Sequence, residues 1–348
     1  MAAHMTGIIR TRLRQAMRSE RVRLAARLTV GVGVLIAVIA HVGSAPLLHG
    51  LLSLNAPAIV AALLLVGIAT VAAAWRWQVI AIRLGVELRL ATAVGMYYRS
   101  QFLNSVLPGG IVGDVHRAIS AGSDAESIKK SARSVAIERT AGQVVQVVLA
   151  LIVLAFFGAG FEGYLLVALI IGVAVLTVAV LVTAGVSARA RRALLHELAE
   201  LRAGLGSAKT TFQVAISSVI VTVGHVATFA IATAAVGLTV PPVQMLPLAF
   251  VVLLGASIPL NIGGWGPREG VAGWAFALAG LGSSAGVSAS TLYGALALIS
   301  IAPGALVTVS FAIRRHHANH ARPGILPALT PTAKPTLVLA GTNQEKTQ

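Results

Sequence analysis

Apolar runs separated by short polar segments repeat along nearly the whole chain. They cover about 24–42, 57–74, 93–107, 135–158, 164–186, 211–237, 244–259, 270–282 and 289–313. Many approach the ~20 residues with which a helix crosses a hydrocarbon core about 30 Å thick. The polar punctuation is mostly basic and unevenly placed. Arg10 through Arg27, then Arg76, Arg83 and Arg89, then Lys129, Lys130 and Arg133, then Arg189 through Lys209, and finally Arg314 and Arg315 carry it, whereas 43–56, 159–163 and 238–243 contain no Lys or Arg. The bias of Lys and Arg toward cytoplasmic loops puts the first set inside and the second outside.

That assignment predicts two apolar segments that enter and leave by the same face. Residues 75–92 and 115–134 both fall inside although 93–107 lies between them. The chain is outside near 240 and again near 288, so 244–282 also returns to its own side. The turns fall at "LNSVLPGGIVGD" (103–114) and "SIPLNIGGWGPRE" (257–269), both broken by Pro and Gly. Broken backbone at membrane depth has to be buried in protein or line a polar cavity. An alternative in which 93–107 simply spans would place Lys129, Lys130 and Arg133 outside.

The pattern therefore predicts an all-α integral membrane protein of about six full transmembrane helices plus two re-entrant hairpins. Residues 1–23 form a basic cytoplasmic N-terminus. Span, span, hairpin, span occupies 24–158 with its hairpin near 93–122; the same order recurs in 164–313 with its hairpin near 244–282 and the opposite orientation. Inverted repeats with discontinuous helices are the architecture of many secondary transporters. Residues 188–205 set Leu194, Leu198, Leu201 and Leu205 at helical spacing among arginines, as expected of an interfacial helix. The Pro-rich, aperiodic stretch 316–348 is expected to be a disordered tail, and its histidines lack a further ligand nearby.

Composition agrees with this frame. Hydrophobic residues make up 57% and charged residues 11% of the 348 positions, with a mean hydropathy of +0.86, a balance that excludes an ordinary soluble domain. The formal net charge of +16 is spread over the connecting segments, which points to an anionic membrane surface and away from nucleic acid. The absence of cysteine excludes disulfides and thiol chemistry. "VGSA" at 42–45 resembles a weak signal-peptidase site, but the basic region before it is long for a signal peptide. Both termini are expected in the cytoplasm and the protein in the cell's inner (plasma) membrane.

Three acidic residues, Asp114, Glu138 and Glu269, fall within or against the apolar segments, each near an arginine: Arg117, Arg139 and Arg268. A charge at the bilayer centre costs about 2.5–3.5 kcal/mol on insertion scales, so such groups need partners, a polar cavity or a function. Asp114 after Gly113 reads as a helix N-cap, and Arg117 shares its helix face. Glu138 with Arg139, and Arg268 with Glu269, are adjacent and are expected to find partners elsewhere. Pro267 suits the first turn of a helix. Two outcomes are open: an ion network bracing two hairpins, and one that holds a charged ligand. The glycine-rich tips and the helix N-termini behind them favour an anion. Trp265 anchors the second tip or stacks on a head group, and Arg99 guides a head group or snorkels. His225 reads as a packed, hydrogen-bonded histidine, and Ser123 with Glu126 as a capping box. The chain lacks GxxxxGK[ST], HExxH and GxSxG, so no enzyme activity and no cofactor or metal is expected.

"FLNSVLPGGIVGDVHRA", "ERTAG" at 138–142 and "SIPLNIGGWGPREG", taken in order and spacing, resemble the transmembrane domain of lysylphosphatidylglycerol synthases. That domain also occurs alone in flippase-like membrane proteins. The resemblance covers roughly 24–315 and implies translocation of a phospholipid or lipid-linked anionic head group between leaflets. Its motif positions fall on Asn104, Pro108, Gly109, Gly110, Gly113, Asp114 and Arg117, on Glu138 and Arg139, and on Pro259, Gly264, Gly266, Arg268 and Glu269. No aminoacyl-transferase domain follows in this sequence, so lysyl transfer is not expected. The arginines would neutralise phosphate, while the carboxylates would position them, accept a cationic head group or couple protons. Membrane lipids are the expected partners. The alternatives are a transporter of small anions, and a non-transporting membrane partner of a lipid-modifying or glycosyl-transfer enzyme.

Overall fold

The described residues fold into helices, with no strand among them. The computed structural model describes residues 36, 40, 43–107, 110–122, 124–157, 192, 195, 199, 201–202, 204–257 and 265–308. The expected spans at 24–42 and 164–186, the basic N-terminus, most of the interfacial helix and the C-terminal tail lie outside them. In chain order the helices are α1 (Ala45–Leu52), α2 (Ala56–Arg83), α3 (Leu90–Val106), α4 (Val112–Ser120), α5 (Ala125–Phe157), α6 (Ala208–Ala235), α7 (Pro242–Ala256), α8 (Pro267–Leu278) and α9 (Ser283–Ile301). Four of these are long and apolar enough to cross a membrane: α2, α5, α6 and α9 with its continuation to Thr308.

Local chemistry sets the ends. The Asn55 side chain accepts the Ala58 N–H at 2.9 Å with Pro57 in the first turn, so α2 begins where its donors are satisfied. Ser207 caps α6 by the same device. The end of α2 corrects the expected boundary: the helix runs on past 74 to Arg83, with Gly85 in the left-handed region at φ +79° just beyond. Arg76 is thereby inside a helix and buried, not in a connecting segment. At 28 residues each, α2 and α6 extend about 42 Å.

Those two helices make the most extensive helix–helix contact of the bundle. Small residues allow it: Ala58, Ala62, Ala69 and Ala73 lie buried on α2, and Gly224 of α6 sits against Leu65 and Ala69. Helices α3 and α4 pack on one another, as do α7 and α8, giving a folded-back pair in each half of the sequence. One apolar core joins α6, α7, α8 and α9 around Phe229, Phe276 and Tyr293, whose rings meet edge to face. A second gathers Trp77, Ala81, Ala93, Tyr97, Ala118 and Val135 from α2, α3, α4 and α5. Each core lies beside one cluster of buried charge.

One expected cap is corrected. Asp114 is the third residue of α4, whose N-cap is Ile111. Asn104 of α3 takes over the capping role, accepting the Gly113 N–H at 2.7 Å. At the start of α5 reciprocal bonds join Asp124 and Ser127; the expected box of Ser123 with Glu126 rests on Ser123, which lies outside the described residues.

Candidate functional site

The first charge cluster is assembled by four helices around Glu138, which is fully buried on α5. Its Oε1 accepts from the Arg76 Nε at 3.1 Å, from the Arg76 Nη2 and from the Tyr97 hydroxyl at 3.1 Å. Its Oε2 accepts from the Arg117 Nη2 at 2.6 Å. The other end of Arg76 donates to the Ser218 Oγ at 2.8 Å, tying α6 into the network. Arg117 also donates to Asp114 Oδ1 at 3.1 Å, and Ser100 donates to the same oxygen at 3.0 Å. Its guanidinium stacks over Trp77 at 4.8 Å and Tyr97 at 4.5 Å.

Arg139 is the exception. Its Nη2 lies 2.5 Å from Asp114 Oδ2, yet its side chain is 52% exposed, against 1% for Arg117. Adjacent residues on a helix diverge by about 100°, so Glu138 faces the buried pair while Arg139 faces open space. The expectation that these two find separate partners holds here.

It fails at the second cluster. Arg268 donates to the Glu269 Oε1 from Nε at 3.0 Å and from Nη2 at 2.5 Å. The pair can close because it lies in the first turn of α8, where Glu269 turns back to accept the Gly266 N–H at 2.7 Å. The long arginine follows it. Gly266 has φ +112°, a conformation that favours glycine. Ser290 of α9 accepts from Arg268 at 3.1 Å, and Trp265 and Tyr293 flank the guanidinium at 5.6 and 5.2 Å. Gly294 leaves room for it, since a methyl group there would collide with the guanidinium. Tyr293 in turn hydrogen-bonds His225 at 3.0 Å, so His225 is hydrogen-bonded as its apolar setting implied.

Between the clusters are two adjoining cavities. The larger, about 740 Å³, is lined by Arg76, Tyr97, Asp114, Arg139, Ser218 and Tyr293 among others. The smaller, about 240 Å³, takes in Asn104, Gly110, Trp265 and Arg268. Gln101, Gly110, Arg139 and His225 line both, so the two meet at Arg139. The Asn104 Nδ2 is buried with no acceptor among the described residues, as is the Arg117 Nη1. The arrangement can hold an anion at Arg139 and present further donors around it.

The structure thus brings Asn104, Gly110, Asp114, Arg139 and Arg268 to the cavity walls. Arg117, Glu138 and Glu269 sit behind them as braces, and Gly113 and Gly266 shape the backbone. Pro108, Gly109, Pro259 and Gly264 lie outside the described residues. Arg76, Tyr97, Ser100, Ser218, Ser290 and Tyr293 were not expected. Arg76 was findable: "AAAWRWQVIAIRLG" continues a helical run to a terminating glycine. The serines and tyrosines carry no sequence signal of their own.

The chain matches the family described as the lysylphosphatidylglycerol synthase TM region over residues 24–304. No curated protein and no solved structure matches.

Proposed function

The chain belongs to the lysylphosphatidylglycerol synthase TM region family, and on that premise we propose that this multi-pass membrane protein translocates a phospholipid, or a lipid-linked anionic head group, between leaflets. It acts as a carrier and not as a catalyst, in the cell's inner membrane with both termini in the cytoplasm. The folded-back pairs α3–α4 and α7–α8 are its two re-entrant hairpins. The order α2, α3–α4, α5 and the order α6, α7–α8, α9 are the described parts of an inverted repeat.

The observation that carries the proposal is the pair of cavities meeting at Arg139. Arg139 lies on α5, a helix long and apolar enough to cross a membrane, and a half-exposed arginine at membrane depth is costly unless it meets an anion or water. Asn104 and Arg268 supply further donors from opposite hairpins. A phosphate held there leaves its acyl or prenyl tails outside, against the exposed apolar faces of α2 and α5, where Leu64, Ile68, Val144 and Val148 lie. Lipid-like tails need no protein cover.

Leaflet exchange of labelled phospholipid in vesicles carrying the purified protein tests this. Wild type is expected to exchange lipid, and Arg139→Gln to do so at least about tenfold more slowly, the loss of one charge-assisted bond. Exchange at equal rates in both, with Arg139→Gln folded, would overturn the proposal.

A further inference from the structure

The cavity walls also bear on what the head group is, if the cavity carries a lipid as proposed. Asp114 is the one carboxylate among the described residues that line either cavity, and it already holds Arg139 and Arg117. Glu138 is closed off by Arg76, Arg117 and Tyr97; Glu269 by Arg268 and the Gly266 N–H. Among the described residues, four arginines (Arg76, Arg117, Arg139 and Arg268) face three carboxylates across the two clusters, a surplus of one positive charge. A phosphodiester carries one negative charge. An ammonium group would meet that surplus and find each of the three carboxylates taken.

The remaining polar wall is uncharged. On α5, Gln143 and Gln146 follow Arg139 at spacings of four and seven, so they continue its face along the larger cavity. Ser218, Thr222 and His225 do the same on α6, and Gln101 stands at the junction. Amides and hydroxyls offer both donors and acceptors, the complement of a hydroxylated group. We infer that the site selects a phosphodiester bearing a neutral polyhydroxylated head group, glycerol or a sugar, and discriminates against aminoacylated or other ammonium-bearing head groups. Arg139 holds the phosphate, and Gln143 and Gln146 read the hydroxyls.

Competition binding to the full chain in detergent, read by native mass spectrometry, tests the inference with four probes. These are phosphatidylglycerol, its lysylated form, phosphatidylmethanol (same charge, no hydroxyls) and the tail-less glycerophosphoglycerol. Phosphatidylglycerol is expected to outcompete the lysylated lipid by about tenfold and phosphatidylmethanol by about fivefold, the latter corresponding to roughly one net hydrogen bond. It should also outcompete the tail-less compound. The preference over phosphatidylmethanol should vanish in Gln143→Leu/Gln146→Leu, whose positions are partly exposed and tolerate the change. Equal or tighter binding of the lysylated lipid, or a preference unmoved in that variant, would overturn the inference. Equal binding of glycerophosphoglycerol would overturn a lipid as the source. Leaflet exchange measured alongside keeps the two proposals apart: selective binding without exchange ends the transport proposal alone, and exchange without preference ends the head-group assignment alone.

Discussion

Glu138 sets the balance of the first cluster, because two arginines from different helices depend on its one carboxylate. Replacing it by Gln leaves Arg76 and Arg117 buried with only Asp114 nearby. Breaking a buried pair in this way costs about 3–5 kcal/mol, which thermal unfolding in detergent would show as a large drop in midpoint. Arg139→Gln removes a half-exposed partner of Asp114 and is expected to cost less than about 1 kcal/mol. The same two variants should reverse in rank if exchange per folded molecule is measured. At this scale the sequence marked the charges that the structure gathers, Arg76 apart, and the Asp114–Arg117 pair, but not the pairing of Arg268. Adjacent Arg268 and Glu269 were expected to part, and the first-turn geometry of α8 joins them instead. Pairings depend on which helix lies alongside, and spacing along one helix is silent about that.

Among the elements, the first folded-back pair is held by a glycine at a close approach. The α-carbon of Gly113 faces the Ser100 backbone so closely that a methyl group would overlap the carbonyl. Backbone cannot step aside as a side chain can, so Gly113→Ala is expected to cost about 1–3 kcal/mol and to loosen α4 from α3, seen as faster proteolysis within 103–122. Among the described residues, helices were legible from apolar runs, and the Pro and Gly stretches marked where α3 ends before α4 and α7 before α8. The ends of α2 and α4 were not. Arg76 interrupts the apolar run without interrupting the helix, and the cap of α4 comes from Asn104 on another helix, which no local signature reports.

Whether those pairs re-enter the membrane is testable because the chain has no cysteine of its own. Single cysteines at Glu87 and Lys129 flank α3–α4, and at Thr239 and Ser284 they flank α7–α8. Membrane-impermeant maleimide is expected to label the first two from one side and the last two from the other. Labelling of Glu87→Cys and Lys129→Cys from opposite sides would make the first pair cross.

For the molecule as a whole, the two clusters solve one problem in different ways. In each, an arginine just past a Pro and Gly-rich tip is paired with a buried glutamate and laid on aromatic rings, Arg117 on Trp77 and Tyr97, Arg268 on Trp265 and Tyr293. The glutamate comes from a neighbouring helix in the first and from the same turn in the second. This braces the first turns of α4 and α8, while Arg139, paired only with Asp114 among the described residues, is the most exposed of the four clustered arginines, an asymmetry suited to holding one anion. The most direct test uses the cavity as a route. Ala136 is exposed on the wall of the larger cavity, so an Ala136→Cys protein in vesicles can be plugged there by a bulky maleimide. Lipid exchange is predicted to run at the wild-type rate before labelling and to stop after it, with Glu87→Cys unaffected by the same reagent. Undiminished exchange by fully labelled Ala136→Cys would contradict passage through this cavity.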